Sequence, residues 1–205
     1  MRWSVIVPVK RLSEAKSRLF ADPGRALPDR TALGLALALD TVTAVLAAGP
    51  VARVLVVTDD EVAAAPLRTL GATVLGDEPD GGLNAALVHG AAEARRAAPD
   101  DPVAVLVADV AALRTHELAA ALAVAGNGRH FVADSDGVGT TMLAAGPGVP
   151  LDPRFGGPSR RAHLRSGAAE IGTALASLRC DVDTPTALDR ARSLGLGPHL
   201  ARLLG

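Results

Sequence analysis

Lys10 and Lys16, both inside VPVKRLSEAKSRLF (7–20), are the only lysines in a chain of 205 residues whose lysines and arginines number 21 together. Where arginine supplies almost every positive charge, a retained ammonium points to a place that a guanidinium does not fit. Lysine is a compact point charge that can approach a phosphate oxygen closely, whereas arginine is a planar fork suited to bidentate contacts. Lys10 follows an apolar run and is a candidate to offset phosphate charge, with Lys16 as a second catalytic cation. The plain alternative is a pair of solvated loop lysines.

The second candidate group is acidic. Asp109 ends VAVLVAD (103–109), and Asp181 and Asp183 lie in CDVD (180–183). Mg²⁺ takes one or two carboxylates together with phosphate oxygens and waters, so these three are candidate ligands for a shared ion. Strand alternation would put Asp181 and Asp183 on one face with Val182 opposite. Each acid also reads as a turn or helix-cap residue.

Two loops complete the candidate set. GDEPDGG (76–82) leads through Gly82 into LNAAL (83–87), and free amides at a helix start favour an anion. In LDPRFGGPSRRAH (151–163), Gly156 and Ser159 can offer main-chain and hydroxyl donors to a phosphate or carboxylate. The same segment reads equally well as turn glycines before a helix cap.

Other chemistries find no signal. There is no GxGxxG and no GxxxxGK[ST] frame, and no GxSxG elbow brings Ser159 and His163 together as nucleophile and base. The single Cys180 allows neither a disulfide framework nor a zinc knuckle, and reads as a buried thiol. Aromatics make up 2% of the chain and the net charge is −1, which gives no stacking platform and no field for nucleic acid. The five-residue apolar run near the N-terminus, ended by Pro8 and Lys10, is too short for a signal peptide, and the alanine-rich stretch 32–48 contains Asp40 and two threonines, so no membrane span is expected and the chain reads as cytoplasmic.

The elements that must position these residues alternate. Strands are expected at 3–9, 53–59, 73–75, 103–109, 130–134 and 140–145, with another running into CDVDTP (180–185). Helices are expected from Asp29 to Gly49, at 60–70, 83–98, 114–124 and 159–168, and beyond 185. This order predicts a single α/β domain over 1–205 with a mostly parallel, doubly wound sheet, whose ligands sit beyond the strand ends.

The blocks VPVKRLSEAKSRL (7–19), LNAAL (83–87), ALRTHEL (112–118), ADSDGVGTT (133–141), RFGGPSRRAH (154–163) and RCDVDTPTAL (179–188) resemble the 2-phospho-L-lactate and phosphoenolpyruvate guanylyltransferases of coenzyme F-420 biosynthesis. The resemblance runs through the whole chain in order. It implies a fold like that of the molybdenum-cofactor guanylyltransferases, with GTP and a phosphorylated three-carbon acid as substrates, Mg²⁺ as cofactor and pyrophosphate as product. It implies further that Lys10, Thr141, Gly156 and Ser159 meet the acid, while Asp109 and Asp181 hold the metal. Asp77 or the 76–84 loop is the expected reader of guanine, with Asn84 on ribose or phosphate. The arginine-rich composition resembles that of high-GC actinobacteria and favours phosphoenolpyruvate; a homodimer is left open.

One block departs from the family pattern. Asp-Leu-Pro is usual after the central strand, and here it is Asp109-Val110-Ala111, so a looser turn is expected. Two alternatives follow: a non-catalytic nucleotide-binding relative, or a nucleotidyltransferase for a different phosphorylated substrate. No LAGGxGxRM-like opening follows the first strand to favour a sugar phosphate.

Overall fold

The computed structural model describes residues 1–14, 16, 18–20, 27–77 and 81–205. Its centre is built from runs of β-branched residues. Strand β1 (Trp3–Pro8) pairs in parallel with β2 (Val51–Val57) on one side and with β4 (Val103–Leu106) on the other. β3 (Thr73–Leu75) extends the parallel half beyond β2. β5 (Arg129–Ala133) and β6 (Thr140–Ala145) are joined by the short loop 134–139, which can connect only antiparallel neighbours. β6 therefore runs against both β4 and β5, and a two-residue β7 (Ala169–Glu170) closes the edge parallel to β5. The sheet order is β3-β2-β1-β4-β6-β5-β7.

Helices cover both faces, so the strands are apolar on both. Val5, Val7, Val54 and Val56 share one core with α1 (Arg30–Leu46), α2 (Glu61–Thr69) and α4 (Thr115–Ala125). Ile6, Leu55 and Val57, the alternate residues, share the other with α3 (Leu83–Ala97). The expected helix start is observed: Asp29 caps α1 by accepting from the Ala32 amide. The helix ends at Leu46, with Gly49 in the turn beyond it. Three short helices finish the chain: α5 (Ser159–Arg165), α6 (Pro185–Leu194) and α7 (Pro198–Leu204). Buried Asp40 on α1 accepts from the amides of His199 and Leu200, both at 2.8 Å, and so caps α7 across the fold.

One expected element is corrected. No strand leads into CDVDTP; residues 171–184 run as turns and extended chain. Their amides are satisfied by main-chain bonds in turns and by one side chain instead of a ladder, and Arg179 ties the segment to the end of β5. Glu117 accepts from the amides of Ser177 and Leu178, and the Arg179 guanidinium donates to the carbonyls of Ala133, Asp134 and Thr173.

Candidate functional site

The chemistry-bearing residues converge on a cleft of about 630 Å³ at one edge of the sheet. The ends of β1 and β4 deliver Lys10 and Asp109, and the start of β6 delivers Thr140, because that strand runs the opposite way. Val9 N–H donates to the Val57 carbonyl and Leu12 N–H to Asp60, the cap of α2, which pins the loop carrying both lysines to the end of β2.

Asp109, Asp181 and Asp183 come together, each offering an oxygen within 4.8 Å of the others. The expected pairing of Asp181 with Asp183 is thus met, but by other means than a strand. Val182 is fully buried and its amide donates to the Asp109 carbonyl at 3.0 Å, which turns both flanking carboxylates back toward Asp109. The turn Asp109-Val110-Ala111 is also tied down. Thr41 Oγ1 donates to the Ala108 carbonyl, Gly197 N–H to the Ala111 carbonyl and Leu113 N–H to the Val110 carbonyl, so hydrogen bonds do the work of the missing proline.

Lys16 sits over this cluster. Its ammonium donates to Asp109 Oδ2 and, at 2.8 Å, to Asp183 Oδ1, while Arg18 reaches Asp183 Oδ2 at 2.5 Å. Lys16 also has φ of 62°, in the left-handed region that costs a non-glycine residue about 1 kcal/mol, and the two ion pairs offset that strain. Burial works against its charge, yet the two aspartates outweigh burial and hold its pKa above the ordinary lysine value. Burial followed by the charges of Asp109 and Asp183 pushes Asp181 up to about 8. For Asp183, burial is outweighed by Lys16, then Arg18 and Lys10, and its pKa lies below the usual carboxylate range.

The cluster is therefore short of positive charge. Asp109 Oδ1 is buried with no hydrogen-bond partner among the described residues. An all-oxygen donor set with one such orphan suits a hard divalent cation such as Mg²⁺.

Thr140, Gly156 and Ser159 also line the cleft. Gly156 and Gly157 have φ of 102° and 54°, so this bend takes a backbone conformation that a side chain would strain. The expectation for Thr141 is corrected: its side chain is fully buried, with Oγ1 directed to the Val132 carbonyl at 3.5 Å. Adjacent residues of β6 face opposite ways, and the threonine on the cleft is Thr140. Lys10 is exposed at the cleft and makes no hydrogen bond or ion pair with a described residue.

The loop before α3 is placed differently from expectation. Asn84 is not among the cleft residues; its amide donates to the Phe155 carbonyl and accepts from the Phe155 amide, clamping the 151–158 loop. Asp77 donates its main-chain N–H to Asp59 Oδ1 at 2.7 Å, and neither Asp77 nor Gly82 lines the cleft. Residues 78–80 of the expected guanine-reading loop lie outside the described residues.

Sequence reasoning missed Asp134, whose carboxylate accepts from the amides of Val138 and Gly139 and shapes the loop below Thr140. A Cβ on Gly139 would come within 2.4 Å of that carboxylate and would displace it from these two amides. The Asp-x-x-x-x-Gly spacing at 134–139 was the available signal.

Residues 3–174 match the family described as guanylyl transferase CofC like. A phosphoenolpyruvate guanylyltransferase from Thermomonospora curvata is 53% identical over 205 residues, covering 99% of this chain and 89% of its own. Those from Salinispora arenicola and Streptomyces coelicolor are 53% and 52% identical, covering 99% and 98% of this chain and 94% and 95% of theirs. Among solved structures, a Desulfovibrio desulfuricans G20 protein described as a nucleotide-diphospho-sugar transferase superposes with a TM-score of 0.65 at 16% identity, covering 100% of this chain and 94% of the other. A 4-diphosphocytidyl-2C-methyl-D-erythritol synthase gives 0.55, also at 16% identity, over 94% of this chain and 98% of the other. These two show that the fold is shared with nucleotidyltransferases. With the family match over most of its length and relatives identical at half their positions, this chain belongs to the CofC-like guanylyl transferases.

Proposed function

We propose that the chain transfers GMP from GTP to phosphoenolpyruvate and releases pyrophosphate, as a step in making coenzyme F-420. The observation that carries this reading is a single cleft where a three-carboxylate cluster faces two lysines and a wall of hydroxyls, in a chain 53% identical to phosphoenolpyruvate guanylyltransferases. No helix among the described residues is long and apolar enough to cross a membrane, which agrees with a proposed cytoplasmic site of action.

The proposed reaction needs little covalent help from the protein. A phosphate monoester is ionised near neutral pH, so the acid's phosphate oxygen can attack the α-phosphorus of GTP without a general base. The P–O bond to pyrophosphate breaks opposite the bond that forms, and the chain's task is to hold both anions in line and offset their charge. Asp109, Asp181 and Asp183 would hold Mg²⁺, which when bound supplies positive charge to the triphosphate. Lys10, which pairs with no described residue and lines the cleft, meets the incoming phosphate. Lys16 shares two of the carboxylates and offsets part of the cluster's charge. Thr140 and Ser159 lie where an acid's oxygens would dock.

The non-catalytic alternative loses its motive, because the Asp109-Val110-Ala111 turn is hydrogen-bonded on every residue. The test is pyrophosphate release with GTP, Mg²⁺ and either phosphoenolpyruvate or 2-phospho-L-lactate, beside ATP and CTP. Release with GTP and phosphoenolpyruvate is expected, and silence from every pair would end the reading.

A further inference from the structure

Behind the hydroxyl wall lies a histidine that the mechanism above does not use. His163 on α5 is fully buried, between the rings of Phe131 (centroids 5.6 Å apart) and Phe155 (5.1 Å, edge-on). Its Nε2 lies 3.0 Å from the Arg154 main-chain N–H, and its Nδ1 lies 3.0 Å from Thr140 Oγ1. Thr140 Oγ1 is also 3.1 Å from Ser159 Oγ. Both residues line the cleft, yet Thr140 and Ser159 are only 6% and 3% exposed.

The proton count in this chain is closed. A main-chain amide can only donate, so Nε2 must accept and carries no proton. Burial first, with Arg129 and Arg154 nearby against the opposing charge of Asp152, lowers the ring's pKa to about 4, so near neutral pH it is uncharged. Its one proton then sits on Nδ1 and is donated to Thr140. Two hydroxyl protons remain on Thr140 and Ser159: one bridges the pair, and the other finds no acceptor among the described residues, which leaves it to what enters the cleft. With the opposite tautomer, Thr140 would donate to Nδ1 and Ser159 to Thr140, and no proton would be left over.

The geometry points to His163 as a positioning residue: fixed in its Nδ1–H tautomer by the Arg154 amide, it makes the Thr140–Ser159 pair present one O–H to an anionic oxygen of the acid substrate. Asn84 supports the arrangement from behind, since its clamp on Phe155 sets the position of the neighbouring Arg154 amide. The inference rests on the proposed transfer to a phosphorylated acid and names the donor that such an acid meets.

Two measurements test it. Long-range ¹H–¹⁵N correlation on histidine-labelled protein at neutral pH, with His163 assigned through His163→Asn, reads the tautomer without any substrate. A protonated Nδ1 and bare Nε2 are expected; a protonated Nε2 overturns the inference even if turnover is normal. Steady-state kinetics then compares His163→Leu, which removes the donor, with His163→Asn, whose amide can replace Nδ1–H. Losing the neutral Nδ1–H bond that orients the hydroxyl pair costs about three- to tenfold, so the KM for phosphoenolpyruvate should rise by that factor in His163→Leu, the KM for GTP should hold, and the asparagine variant should recover most of the loss. Equal loss toward both substrates, with no recovery in asparagine, would make the ring merely structural. Where His163→Leu fails to fold, Thr140→Val removes the hydroxyl directly and must show the same selective rise. Absence of pyrophosphate from wild type with every acid would instead refute the proposed function while leaving the tautomer result standing.

Discussion

Replacing Lys16 by methionine keeps most of the side chain's bulk and removes its ammonium from between Asp109 and Asp183. Breaking a buried ion pair by deleting one partner costs about 3–5 kcal/mol. Here the Asp109 and Asp183 side chains are 17% and 35% exposed, and Arg18 still faces Asp183, so part of that cost is screened. The expected loss is about 2 kcal/mol, which at an m-value of about 2 kcal/mol per M moves the urea midpoint down by about 1 M. The assay is urea unfolding followed by circular dichroism, first in chelator and then in millimolar Mg²⁺. In Mg²⁺ the variant should regain most of the loss and gain more than wild type, because a cation that binds only the folded cluster stabilises it by mass action. A Lys16→Met protein as stable as wild type in chelator, or one that Mg²⁺ stabilises no more than wild type, would refute the reading of these carboxylates as a charge-starved cation site.

Other outcomes follow from the same structure. Asp40→Ala should lose about 2 kcal/mol, since it removes two buried bonds that cap α7, and an unchanged urea midpoint would contradict that role. For His163 the folded pKa of about 4 lies below the unfolded value of 6.5, so the unfolded state binds more protons between those limits. Stability is therefore complete above about pH 6.5 and falls as pH drops toward 4, by at most about 3 kcal/mol, and thermal melts of His163→Asn should lack this component of the acid slope. Cys180 is buried and its thiol is pushed up to about 11 by burial, so a disulfide reagent should react with it only on unfolding; fast reaction with native protein would show that it is misplaced.

The parts of the site that the sequence discloses are those marked by unusual residue types. Two lysines in an arginine-rich chain, and aspartates ending apolar runs, stand out because charge at a strand end has few structural uses. The parts it conceals depend on facing and on distant partners. Thr140 and Thr141 are indistinguishable until the register of β6 against β4 decides which of them faces the cleft. Asn84 looks like a ligand beside a glycine-rich loop, but its partner Phe155 is 71 residues away and makes it a clamp. The segment before Asp181 has the composition of a strand, yet its amides are claimed by Glu117 and its carbonyl neighbours by Arg179, contacts that no local pattern records. The antiparallel turn of β6 was equally hidden, although the loop at 134–139 was short enough to require it.

The most direct test of guanylyl transfer follows the label of GTP carrying ³²P at either the α or the γ position, incubated with the protein, Mg²⁺ and phosphoenolpyruvate and resolved by chromatography. The account predicts α-label in an adduct with the acid and γ-label in pyrophosphate, in equal amounts. Label appearing as free orthophosphate with no adduct, which is the signature of simple hydrolysis, would contradict it.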